Sequence, residues 1–128
     1  MTITNGPDFE MFRGEEQVWT LTITEDGVAV DLSLATIQFV VRSKYPHGSI
    51  ISDADAIFTC VSPAEILLTA PALGIVELVV AKAKTYSLDI TISTTYRYGL
   101  EYVPNGGTEP RVVAQGNFTI HTDIVRAL

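Results

Sequence analysis

Between Ile90 and Tyr102 apolar and polar side chains take turns along the chain. Ile90, Ile92, Tyr96, Tyr98, Leu100 and Tyr102 share one parity, and Asp89, Thr91, Ser93, Thr95, Arg97 and Glu101 hold the other. A period of two is that of a β-strand with one buried face. After Pro104-Asn105-Gly106-Gly107, which supplies the positive φ a reversal needs, Val112, Ala114, Phe118 and Ile120 alternate with Gln115, Asn117, Thr119 and His121. The two arms spell a long β-hairpin.

The same alternation recurs upstream. Residues 1 to 8 form a loose lead-in, Phe9 to Arg13 a short edge strand stopped by Gly14, and Gln17 to Thr24 a strand with Trp19, Leu21 and Ile23 inward. Glu25-Asp26-Gly27 is an Asp-Gly hairpin turn with Val28 to Val30 as its return arm. Thr36 to Arg42 places Ile37, Phe39 and Val41 inward, and Ser43 to Asp55 is the longest loop. Ala56 to Val61, Glu65 to Ala70 and Ile75 to Ala81 complete the strands, with turns at Ser62-Pro63 and Pro71-Ala72-Leu73-Gly74. Helix is expected at most once, as a short turn near residues 82–87 around Ala-Lys-Ala-Lys. Seven to nine short strands, with turn signals every 8 to 12 residues or so, predict an all-β fold, an antiparallel two-sheet sandwich. With no linker or internal repeat, residues 1–128 read as a single domain. The expected core is Trp19, Leu21, Ile23, Ile37, Phe39, Val41, Tyr98, Leu100, Phe118 and Ile120.

Composition sharpens this picture. Val, Ile and Thr number 40, a β-branched excess that suits pleated sheet. Charged residues are 18% of the chain, against about 25% in an average soluble domain, while 47% of the chain is apolar; the expectation is a surface partly covered by other subunits. A net charge of −7 argues against nucleic acid and against anionic membrane as partners. Cys60 is the single cysteine, so neither an intrachain disulfide nor a thiolate metal cluster can form. The start lacks the features of a secretory leader, and no apolar run approaches the ~20 residues of a membrane span. Synthesis in the cytoplasm is expected.

No catalytic constellation is visible. His47 lies in the long loop and His121 on the outward parity of the last strand, with no nucleophile placed beside either by sequence. Asp53 and Asp55 beside Ser52 are the nearest approach to a cation loop, but a calcium site needs about six to eight oxygens, and no metal or other cofactor is expected. Gly14, Gly99 and Gly116 are isolated and suit bulges or close backbone approach. Tyr96, Tyr98 and Tyr102 share the inward parity, which favours packing; exposed on a sheet face they would instead form a sugar platform, and a carbohydrate-binding or adhesion module is the alternative function. Val18, Val40, Val79 and Val113 fall on outward parity and Ile50 and Ile51 in the loop. Exposed apolar groups that cluster mark interfaces, so these six are the candidate protein-interface residues, with a closed homo-oligomer as the expectation.

One resemblance runs through the chain in order. Phe12-Arg13-Gly14-Glu15, Trp19-Thr20-Leu21-Thr22-Ile23, Asp26 to Leu32, Thr36 to Val41, Tyr96-Arg97-Tyr98 and Gly116-Asn117-Phe118-Thr119-Ile120 resemble the immunoglobulin-like β-sandwich modules of tailed-phage virions, in particular the N-terminal domain of siphophage baseplate upper proteins. The resemblance spans roughly residues 9 to 125. It implies an Ig-like fold, a non-enzymatic structural role in the tail, baseplate, neck or head of a phage particle, other virion proteins as partners, and no catalytic residues. The chain ends at Leu128, without the coiled-coil or receptor-binding part of the longer members, which points to a separate small virion component.

Overall fold

The computed structural model describes residues 7–42, 56–86, 88 and 92–122, and within them the chain is all-β. The strands are β1 (Phe9–Phe12), β2 (Gln17–Thr22), β3 (Thr24–Glu25), β4 (Val28–Ala29), β5 (Thr36–Arg42), β6 (Ala56–Val61), β7 (Ile66–Ala70), β8 (Ile75–Val80), β9 (Thr94–Val103) and β10 (Arg111–His121), with one helical turn, α1 (Ala83–Tyr86), before β9. They form a five-stranded sheet in the order β1-β10-β9-β5-β6, a three-stranded sheet β2-β8-β7 and the ribbon β3-β4. Ile50, Ile51, His47, Asp53 and Asp55 lie outside the described residues.

The hairpin at the centre is as the alternation demands. β9 and β10 pair antiparallel with Phe118 opposite Tyr96 and Gly116 opposite Tyr98, and β5 joins the other side of β9 with Phe39 opposite Leu100. Inward residues of both sheets meet in one hydrophobic cluster: Ile37, Phe39, Val41, Phe58, Tyr98, Leu100, Phe118 and Ile120 from the larger sheet, Ile66, Val76, Leu78 and Val80 from the smaller. Phe9 anchors β1 there, its ring 4.9 Å from Trp19, 5.0 Å from Tyr98 and 5.8 Å from Phe39. Of the expected core, Trp19 and Leu21 are half-buried against this cluster and the rest are fully buried.

Several expectations need correction. There are ten strands among the described residues, because the segment expected to run from Gln17 to Thr24 breaks at Ile23. Its N–H donates to the Gly74 carbonyl at 2.8 Å, in line with the β2–β8 register, while its carbonyl accepts from Val30 N–H at 3.0 Å, so the chain passes there from pairing with β8 to pairing with β4. The pairing is not wholly antiparallel, since β1 runs parallel to β10, with Phe9 opposite Phe118. Pro71–Leu73 winds into a 3-10 turn, a second helical piece beside the expected one at Ala83–Tyr86. β9 starts at Thr94, and Ile92 is 72% exposed despite its inward parity.

The parity of β10 also changes partway. Val112 faces Glu101 and Ala114 faces Leu100, so Val113 is an extra residue, a β-bulge. Upstream of the bulge the two faces exchange, which buries Val113 in the core cluster and places Val112 with outward Glu101.

The register gives the molecule two ends. Val103, Thr36, Thr22 and Ile75 lie at one, which carries the loops 23–35 and 104–110 and the 3-10 turn. Phe12, His121, Val80 and α1 lie at the other. There Arg13 Nη1 donates to the Leu88 carbonyl at 2.8 Å and Gly14 N–H to Thr85 Oγ1 at 2.8 Å, so that α1 is bonded onto the exit of β1.

Candidate docking surface

The loop end is built from short segments that bond to one another. Leu32 is fully buried, and its N–H donates to the Pro71 carbonyl at 2.8 Å, which fastens the 31–35 loop to the 3-10 turn. Asp31 Oδ1 accepts from Ser33 N–H at 2.9 Å, an Asx turn, and bonding to Ser33 holds the Asp31 carboxyl below its ordinary pKa. Ala35 N–H donates to the Leu32 carbonyl at 3.0 Å and closes a four-residue turn whose outer residues are both buried.

The third residue of that turn is Leu34, at φ 60°. Positive φ at this position is the mark of a type II turn, which favours Gly or Asn there, because a Cβ crowds the backbone in the left-handed region. Leu34 is also 78% exposed, so its side chain recovers little by packing. By contrast Asp26 and Gly27, at φ 53° and 80°, are the residues an Asp-Gly hairpin turn calls for. Two further apolar side chains stand in solvent on neighbouring segments: Leu73, 61% exposed, two residues from the Leu32–Pro71 bond, and Val28, 69% exposed, two residues from Val30. Gly74 sits between them, and a Cβ there would lie 2.5 Å from the Ile23 carbonyl and 3.0 Å from that of Val30, so the segments approach as closely as glycine permits.

Beside this apolar edge a groove of about 720 Å³ separates the β3–β4 hairpin from the β9–β10 hairpin, lined by Glu25, Asp26, Pro104, Glu109, Arg111 and Val113 among others. Glu25 is held in its wall, accepting from the Tyr102 hydroxyl at 3.1 Å and lying 3.8 Å from Arg111. A second, more apolar groove of about 300 Å³ opens between β2 and β10 and is lined by Pro7, Phe9, Leu21, Ile23, Leu100 and Val113.

The residues singled out from sequence fare unevenly. Val18 and Val79 are brought together as cross-strand partners of β2 and β8, Val18 exposed and Val79 half-buried. Val40 is buried, contrary to expectation: it lies on the interior strand β5 between Thr59 and Gly99, outside the core cluster but flanked by both neighbouring strands. Val113 is buried by the bulge. Neither offers area to a partner. Tyr96, Tyr98 and Tyr102 are buried and their phenols are pushed above the ordinary range, Tyr98 to about 12, chiefly by that burial. These rings form no exposed platform.

His121 has neighbours that spacing did not disclose. Ser93 Oγ lies 3.0 Å from its Nδ1 and Glu10 Oε1 lies 3.3 Å from its Nε2. The trio has the composition of a hydrolase triad, but Ser93 and Glu10 are exposed and neither groove includes any of the three. Water competes for its exposed bonds, and among the described residues neither groove supplies a wall that would order a substrate beside it. Cys60 is buried, donates to the Val79 carbonyl at 3.8 Å, and has its thiol pushed up to about 12 by burial and then by Glu65, so it stays protonated and unreactive. Among the described residues no cluster of His, Cys, Asp and Glu could hold a metal ion, and no helix is long and apolar enough to cross a membrane.

The loop end carries no alternating pattern, because Leu34 and Leu73 lie on no strand and Val28 sits on the two-residue strand β4, too short for a period of two to show. Leu73 alone carried a signal, an apolar side chain inside a Pro-to-Gly turn where polar residues are the rule. No protein-family model matches the chain, and no curated protein matches its sequence.

Proposed function

We propose that this chain is a non-enzymatic structural protein of a tailed-phage particle, an Ig-like β-sandwich that docks through its loop end onto another virion subunit. Strand order supports the fold. Taking β2 as B, β5 as C, β6 as C′, and β7 to β10 as D to G, the sheets correspond to G-F-C-C′ and B-E-D of that architecture. β1 departs from it by pairing with β10. The loop end then corresponds to the B–C and F–G loops that variable-type domains use for binding. The resemblance of Phe12 to Glu15, Tyr96 to Tyr98 and Gly116 to Ile120 to phage modules supplies the setting.

The observation that carries the docking mode is Leu34, an exposed leucine held in a conformation that disfavours it. A strained residue persists where its surroundings over-determine it, and strain without packing gain points to a use outside the folded chain. Mass spectrometry of gradient-purified particles from the phage that encodes the chain tests the setting. Stoichiometric recovery with the particle is the expected result; its absence from purified particles would overturn the assignment.

A further inference from the structure

The larger sheet has room for one more strand beside β10. β1 pairs with β10 only from Phe118 to His121, so among the described residues no strand covers the outer edge of β10 from Arg111 to Gln115. Asn117 N–H donates to Asp8 and the His121 carbonyl accepts from Arg13, so the odd-numbered backbone groups of this stretch face the β1 side. Two residues before Asn117, Gln115 turns its N–H and carbonyl the same way, beyond the start of β1. Such an edge is a template for an added strand, whose alternate side chains need a pocket. The apolar groove between β2 and β10 lies beside it, with Leu21, Ile23, Leu100 and Val113 in its walls and no charged side chain in its lining.

We propose that residues 1–6, which lie outside the described residues, add to this edge of their own chain in continuation of β1 and fill the groove. Position is the first reason. Pro7 belongs to the groove lining and its carbonyl accepts from the Tyr98 hydroxyl, so the chain enters β1 from the groove. Parity is the second: β1 buries Phe9 and Met11 and exposes Glu10 and Phe12, and Met1 and Ile3 share the parity of the buried pair, with Thr2 and Thr4 on the other. Carried back by six residues, the Phe9–Phe118 register brings Ile3 level with Val112, next to Val113 in the groove wall. At about 3.3 Å per residue the segment spans about 20 Å, enough for the open edge. Charge is the third. Residues 1–6 carry none, whereas the stretches 43–55 and 123–128, also outside the described residues, both contain charged side chains that this lining would leave unpaired. A segment so placed denies the edge to foreign strands and leaves the loop end as the surface for docking.

Amide hydrogen exchange, read by NMR on the full chain diluted until sedimentation shows a monomer, tests this. The Gln115 amide is expected to exchange at least about tenfold more slowly than that of exposed Thr108 in the loop. Ile3→Asp brings a charge to the uncharged groove and should abolish that protection, while Thr2→Asp, on the opposite parity, should keep it. Leu100, on a strand paired on both sides, reports in each variant that the sheet is intact. Fast exchange at Gln115 in the unmodified chain, or an equal loss in both variants, overturns the proposal. Protection that appears only when the chain is concentrated enough to dimerise also overturns it, since the occupant is then the segment of a second copy. Each of these outcomes is independent of docking, which is read in the particle.

Discussion

Replacing Leu34 by Asn should make the isolated chain more stable while weakening its docking. An L-residue in the left-handed region costs about 1 kcal/mol or more, and Asn is among the residues that tolerate it because its short polar side chain bonds locally. Against that relief stands the packing of the covered part of Leu34. With 78% of the residue exposed, about a fifth of the ~2 kcal/mol available from burying a leucine is lost, roughly 0.4 kcal/mol. The turn itself survives, since the Ser33–Asp31 and Ala35–Leu32 bonds use neither Leu34 group that changes. The net gain is about 0.5 kcal/mol, or about 2 °C in Tm for a chain of this length. Ile92→Asn is the control: 72% exposed, without positive φ, it loses the same packing and gains no relief. Differential scanning calorimetry at fixed dilute concentration should show Leu34→Asn rising and Ile92→Asn falling by a degree or two. If both fall together, Leu34 is not strained in any sense that costs free energy, and the reason for assigning it to docking disappears.

Other expectations follow from the core and its buried phenols. Phe39→Ala and Leu100→Ala should each cost on the order of 2 to 5 kcal/mol through lost burial and the cavity left behind, whereas Arg97→Ala, which loses an outer-face bond to Asn117, should cost less than about 1; urea midpoints compare them. Gly116→Ala puts a Cβ 2.7 Å from the Tyr98 ring and 2.9 Å from the Pro7 carbonyl, so the Tyr98 hydroxyl must release Pro7, and a loss of about 1 to 3 kcal/mol is expected in the same assay. Cys60 is raised from 9.0 to about 12 and Tyr98 from 10.0 to about 12. Both remain protonated in the fold while the unfolded chain ionises, so their contribution is intact below about pH 9 and is lost as pH rises toward about 12. Urea midpoints should therefore fall between about pH 9 and about pH 11, and a flat profile would contradict the burial of both groups.

Period-two alternation made most of the sheet legible. Ile37, Tyr98, Leu100, Phe118 and Ile120 read as inward because the residues beside them on the strand are polar or glycine, and Phe39 and Val41 continue the parity of Ile37 across apolar Val40. The failures mark places where a single residue shifts the phase. The bulge at Val113 turns one valine inward and another outward, and Val113 and Val112 are too alike for the pattern to register the change. Val40 is outward by parity and still buried, because parity assigns a face and cannot say how much cover flanking strands give an interior strand. The parallel pairing of β1 was hidden for a different reason: a four-residue strand has no periodicity that distinguishes its direction. The loop end was illegible since backbone φ, not side-chain pattern, sets Leu34 apart, and Ser93 and Glu10 reach His121 only through strand pairing.

Hydroxyl-radical footprinting of the free chain and of the same chain in its assembled particle reads the exposure of named side chains. Leu34, Leu73 and Val28 should be reactive in the free chain and protected on assembly. Reactivity undiminished at all three in the particle, with protection confined to the outer faces of the sheets, would contradict docking through the loop end.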